Sequence, residues 1–358
     1  MGSKSNNFDL IRLVAASQVA IVHSFHFQML TPERSLAMLH LNLFPGVPIF
    51  FFVSGFLISQ SFEKNPSIID FAWNRCLRIY PALIVCFVVS VLSVFLTGYF
   101  RIARVDWFVA AGWAAAQLSF LQFYNPNFMR HYGTGVLDGS LWTISVELQF
   151  YVLTPVIHRL VRAKLWGGQN GRWFALILLF IVANRIYALF TPTLDQSILY
   201  KLVGVTFIPW FYMFLAGAFV QHNFSYFHSK LAGKVLIVFI PYVAIALCAE
   251  RWLGWGFGNL LNPISYVGLV LVIFAAAFSY PSVSDKILGR NDISYGVYIY
   301  HMPVINLLLA TGAGGSIEGF WVAMSTTFAL AIVSWILVEK PALEFKRHPL
   351  YRHSASVG

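Results

Sequence analysis

The sequence predicts an all-α membrane protein, a polytopic bundle of about ten transmembrane helices plus one re-entrant or interfacial segment. Three observations predict it. Hydrophobic residues make up 58% of the 358-residue chain, charged residues only 11%, and mean hydropathy is +0.70, which is more apolar surface than a soluble core uses. Apolar stretches of about 20 residues recur, each long enough to cross about 30 Å of hydrocarbon as a helix. Basic residues collect in some of the intervening segments and are scarce in others, the asymmetry expected of inner and outer loops.

The spans are expected over residues 8–28, 45–61, 79–98, 141–157, 173–190, 202–221, 235–250, 263–280, 292–311 and 319–338. The first carries Arg12 and His23, ionisable residues that are costly in an apolar helix and mark function by default. Eleven steps of about 100° return to nearly the same face, and about 1.5 Å of rise per residue puts roughly 16 Å between them. A guanidinium near one membrane surface and an imidazole deep in the span then line one side of a path. Residues 1–7 lack a signal peptide's layout and Asn6 breaks the myristoylation pattern, so the first span is expected to stay as a helix.

In the second span Ser54 and Gly55 are small residues suited to close approach to the first span, or to lining a pore. Arg75 and Arg78, three apart at the start of the third, share a face. They form either a two-guanidinium clamp for phosphate oxygens or ordinary anchors at a cytoplasmic helix end. The Trp-rich stretch 107–123 is apolar, but counting it as a span puts the basic segments 62–78 and 158–172 on opposite sides, so it is read as interfacial or re-entrant. The outer segment 99–140, with Tyr124, His131 and Tyr132, is where an acceptor is expected to be gripped.

The fourth span opens on Trp142, whose indole face suits a sugar ring, and holds Glu147, the one acid placed well inside a span. Seven residues inward from Ser140 put Glu147 about 10 Å deep, roughly level with His23. It either orients the imidazole, as the acid of a hydrolase triad does, or pairs with Arg12, Arg185 or a tyrosine hydroxyl. In the ninth span Tyr298 and His301, one turn apart, make a second polar cluster.

On this arrangement sixteen basic residues, Lys4 and four beyond residue 339 among them, lie on the side of the N-terminus, against seven, Arg34 among them, on the other. Both termini are then cytoplasmic. Topology accounts for the net charge of +10, and no soluble domain exists to hold nucleic acid. Cys76, Cys86 and Cys248 show no metal-ligand spacing and no disulfide framework, and no metal is expected. Residues 1–340 read as one membrane domain and 341–358 as a short cytoplasmic tail.

Asp9, Arg12 and His23 are followed along the chain by Phe51-Phe52-Val53-Ser54-Gly55-Phe56 and by Asn74-Arg75-Cys76-Leu77-Arg78-Ile79-Tyr80-Pro81. Next come Ser140-Leu141-Trp142-Thr143-Ile144-Ser145-Val146-Glu147, then Ser294-Tyr295 with Tyr298 and His301, and Val338-Glu339-Lys340-Pro341. In order and spacing these residues give the chain a resemblance to the acyltransferase-3 family of bacterial inner-membrane enzymes. It implies transfer of an acyl group, usually acetyl, to a hydroxyl of an extracytoplasmic or lipid-linked glycan such as a polysaccharide or lipopolysaccharide O-antigen. It also places His301 in the lining of the active site.

Acyl transfer needs a base near neutral pH for the attacking hydroxyl, and His23 is the candidate, with Glu147 supporting it. The expected donor is cytoplasmic acetyl-coenzyme A, its phosphates met by Arg12, Arg75 and Arg78. The acceptor side falls to Ser54, Trp142, Tyr298 and His301, and membrane lipid is the bundle's other expected partner. Direct attack and a covalent acyl-enzyme are both open. A proton-coupled transporter or exporter, with Arg12, His23 and Glu147 as its pathway, is the alternative class, and a scaffold in a glycan pathway is a third.

Overall fold

The structure, a computed structural model, describes residues 6–28, 30, 36–163 and 167–345. Lys4, Arg34 and the tail beyond Phe345, on which part of the topology reading rests, lie outside the described residues. Among the described residues all regular structure is helical, and seven helices are long and apolar enough to cross a membrane.

In chain order these are α1 (Phe8–Phe27), then the short α2 (Leu36–Asn42) leading into α3 (Gly46–Lys64), and α4 (Ile68–Leu96). After α5 (Tyr99–Ile102) and α6 (Trp107–Gln117) come α7 (Trp142–Arg162) and α8 (Gln169–Leu194). Then follow α9 (Ile198–Gly204), α10 (Phe211–His222), α11 (Phe224–Leu231), α12 (Val235–Leu253), α13 (Pro263–Ala277) and α14 (Val283–Leu288). The last are α15 (Ser294–Ala310), α16 (Ile317–Ser334) and α17 (Lys340–Phe345). Their starts are chemically marked: Ser67, Asp106, Asn262 and Ser316 each accept a backbone N–H of the first turn, and Pro263 follows Asn262 at the first helical position.

The remaining three of the ten expected spans are shorter. Helix α13 has 15 residues and α15 has 17, while 202–221 is not one helix at all. It breaks between Gly204 and Phe211, where Pro209 has no N–H to give. Other side chains satisfy the freed backbone, as an irregular segment away from water requires. Gln149 donates to the Val205 carbonyl at 3.0 Å and accepts the Phe207 N–H at 2.9 Å. Asn184 donates to Pro209 O at 2.9 Å, and the Trp210 indole to Gly204 O at 2.7 Å.

Two further boundaries differ from expectation. Helix α4 starts at Ile68, so Arg75 and Arg78 stand about two turns inside it rather than at its first turn. The last span runs past residue 338 through a π-helical turn at Trp335–Glu339 into α17. Pro341 cannot donate to residue 337, and Lys340 N bonds Trp335 O instead, which widens the turn. Glu339 is thereby buried at 2% exposure, its Oε1 accepting the Ser334 hydroxyl at 3.2 Å. Helix α6, with 11 residues, is about 16 Å long, too short to cross, in keeping with the interfacial or re-entrant reading of 107–123.

The chain divides into two compact units. Among the described residues, the first takes in those that fall within 1–22, 33–66 and 146–292. Its core is the packing of α3 on α10, where a Cβ at Gly55 would overlap the Phe214 carbonyl and one at Gly217 the Phe52 carbonyl. Gly55 therefore serves α10; the glycine that meets the first helix is Gly46, against Ala15. The second unit takes in the described residues that fall within 23–32, 67–145 and 293–358, with α15 packed on α16 and α4. Within it Asn306 holds the segment 134–137: it accepts the Thr134 N–H at 2.8 Å and donates to Val136 O and Leu137 O at 2.9 Å each.

Candidate active site

The second unit holds the histidine cluster. His23 is half-buried on the last turns of α1, and His301 on α15 is buried at 1% exposure. His23 Nδ1 lies 2.9 Å from His301 Nε2, with ring centroids 5.1 Å apart. His301 Nδ1 lies 2.6 Å from the Tyr298 carbonyl one turn back. Such a bond to a backbone oxygen fixes ring orientation and tautomer.

Beside it, the Tyr298 hydroxyl and Thr143 Oγ1 are 2.6 Å apart, and each is within reach of the Ser140 carbonyl, at 3.2 and 3.1 Å. Asp138 closes this corner. Its Oδ1 accepts the Ser140 N–H at 2.9 Å and the Ser140 hydroxyl at 2.5 Å, while Oδ2 is buried without a hydrogen bond. Burial pushes this carboxyl up to about 7, against the pull of the two Ser140 bonds. Arg75 and Arg78, both half-buried, stand one turn apart on α4, and the Arg75 guanidinium lies over the Phe71 ring at 5.8 Å. Trp142 opens α7.

The first unit holds two of the predicted charges. Arg12 is paired with Asp292. Glu147 Oε1 accepts the hydroxyls of Ser54 and Tyr151, each at 2.6 Å. Of the partners left open for Glu147, the tyrosine hydroxyl is the one present. Arg185 instead bonds Asn184 and the Leu260 carbonyl. The structure thus joins His23 to His301 and Tyr298 to Thr143 in one unit, and Ser54 to Glu147 in the other.

Sequence reasoning missed Asp138, Asp292 and Tyr151. Only Tyr151 carried a signal, sitting one helical turn after Glu147. It also missed a buried polar clasp between α3 and α7, with Ser59 Oγ 3.1 Å from His158 Nε2 and Glu63 3.8 Å from His158 Nδ1. Ser59 and His158 are 1% and 4% exposed and the Glu63 distance exceeds hydrogen-bond range, so the group reads as structural. Tyr132, expected at the acceptor surface, is instead a core residue packed with Trp113, Met129 and Leu137. Among the described residues no three His, Cys, Asp or Glu side chains lie together in a way that could hold a metal ion.

The acyltransferase domain family matches residues 5–339, nearly the whole chain and both clusters. The chain belongs to the acyltransferase-3 family. It is therefore an acyltransferase, and the transporter and scaffold alternatives give way to an enzyme of several apolar helices in the membrane. Nodulation protein 10 of Rhizobium leguminosarum bv. viciae is 30% identical over 353 residues, which cover 95% of this chain and 94% of that protein. An O-acetyl transferase of Shigella phage Sf6 is 30% identical over 346 residues, covering 94% and 96%. The peptidoglycan O-acetyltransferase OatA of Listeria monocytogenes is 27% identical over 352 residues, which cover 86% of this chain and 54% of that longer protein. No solved structure matches the chain.

Proposed function

We propose that this acyltransferase is an O-acetyltransferase of the bacterial inner membrane, moving acetyl from cytoplasmic acetyl-coenzyme A to a hydroxyl of an extracytoplasmic or lipid-linked glycan. Relatives named as O-acetyl transferases and as a peptidoglycan O-acetyltransferase support the acetyl group and the glycan. The observation that carries the chemistry is His23, a half-buried imidazole on the first apolar helix, bonded to a second histidine in a chain of this family.

His23 takes the proton of the acceptor hydroxyl as its oxygen attacks the thioester carbonyl, the C–S bond breaks, and the proton passes to the departing thiolate. Glu147, with its carboxylate anchored by Ser54 and Tyr151, is the second catalytic group. Arg12, Arg75 and Arg78 are assigned to the donor phosphates, and Arg12 is paired with Asp292. Ser54, Trp142, Tyr298 and His301 line the acceptor side. Both termini are cytoplasmic, on the charge asymmetry of the loops.

The test is purified protein in detergent with acetyl-labelled donor and a glycan acceptor. Wild type releases thiol and labels the glycan. His23→Ala abolishes turnover and still binds donor, whereas Arg12→Lys weakens donor binding. Equal loss of binding and turnover in His23→Ala would make the histidine structural.

A further inference from the structure

The hydrogen bonds from Tyr298 to His23 have only one consistent direction. A backbone carbonyl accepts and never donates, so the 2.6 Å contact to Tyr298 O places a hydrogen on His301 Nδ1. A neutral imidazole carries one N–H, which leaves His301 Nε2 a bare acceptor. A doubly protonated His301 would be a cation at 1% exposure whose second N–H meets another imidazole rather than a carboxylate, an arrangement burial disfavours. The hydrogen in the 2.9 Å contact therefore belongs to His23 Nδ1. By the same count, Nε2 of neutral His23 carries the lone pair.

We infer that His301 is a positioning residue: its carbonyl-locked tautomer holds the Nδ1–H of His23 and so makes His23 Nε2 the atom that takes the acceptor proton. This rests on the reading of His23 as the base. The acceptor O–H proton goes to Nε2, the acceptor oxygen bonds the acyl carbon as the C–S bond breaks, and Nε2 returns the proton to the thiolate sulfur. Throughout, the Nδ1–H to His301 bond stays in place, and it becomes charge-assisted while His23 is protonated. His301 does with a neutral ring what the aspartate of a Ser-His-Asp triad does with a charge, fixing tautomer and orientation.

Two measurements test it. In protein carrying ring-15N histidine, with the His23 signals assigned by their absence from His23→Gln, neutral His23 should show a protonated Nδ1 and a bare Nε2. The reverse pattern overturns the proposal. In kinetics, His301→Gln puts an amide oxygen where Nε2 stood and keeps an acceptor, so kcat should stay within about tenfold of wild type. His301→Leu removes the acceptor and should lower kcat about 10²-fold or more while the donor KM holds. Donor binding shows that each variant is folded, and the nitrogen shifts of wild type decide the matter if His301→Leu is not. Equal losses in the Gln and Leu variants, beside an inactive His23→Ala, overturn the role of His301 alone. Full turnover in His23→Ala overturns the reading of the base, and this proposal with it.

Discussion

Glu147 and Asp138 are carboxyls in apolar surroundings, each held by hydroxyl donors. Glu147 accepts two hydroxyl donors on one oxygen, so losing either one leaves the other. Tyr151→Phe should cost stability of about 0.5–1.5 kcal/mol, the range for a single hydrogen bond, and Ser54→Ala a similar amount. Their double variant should cost more than the sum, because only it strips the carboxylate of both donors, and thermal unfolding of the four proteins reads this coupling. Tyr151 was legible from spacing on one helix. Ser54, 93 residues away in sequence, was legible only as a small residue of a family motif.

Asp138 keeps its proton up to about pH 7 when folded, against an ordinary value near 3.8. Below the lower value both states are protonated and the contribution to stability is fully present. As pH rises towards 7 the unfolded chain loses its proton while the folded one retains it, so stability falls across that window and levels off above it. Asp138→Asn, which is never charged, should flatten this slope. Melting temperatures between pH 4 and 8 measure it, and an unchanged slope would mean that Asp138 is ionised in the fold.

At the scale of elements, periodicity and apolar length placed the long helices, because those signals are local. They did not place the break in 202–221, since it depends on Gln149 and Asn184, whose amides reach it from α7 and α8. Gln149→Leu has nearly the same volume but frees both Val205 O and Phe207 N, and should cost about 1–3 kcal/mol for each group left buried without a partner. Faster hydrogen exchange confined to residues 205–210 is the expected signature, and exchange spread over α8 and α10 alike would count against it. The α3–α10 contact is tighter still. Gly55→Ala sets a methyl group against the Phe214 backbone, which no side-chain rotamer can relieve, while Gly112→Ala meets nothing within 4 Å. The first should lower the melting temperature or the yield of folded protein, and the second should leave both unchanged.

The whole molecule is where charge, not packing, carries the argument. Histidine pairing, the aspartate beside Arg12 and the helix break all need tertiary structure, whereas the side of the membrane proposed for each helix end rests on the loops alone. Helix α12 tests it within one unit, because the basic segment 221–234 precedes it and Arg251, one of the seven basic residues assigned outside, is exposed at its far end. In a background with Cys76, Cys86 and Cys248 replaced, Arg251→Cys should react with a membrane-impermeant maleimide in intact cells. Lys230→Cys, also exposed, should react only after permeabilisation. The reverse pattern would put both termini outside, turn the Arg12–Asp292 pair away from the cytoplasmic donor, and remove the coenzyme A assignment while leaving the histidine chemistry intact. Labelling of both sites in intact cells would mean that α12 does not cross, and with it would go the span order on which every inside and outside assignment here depends.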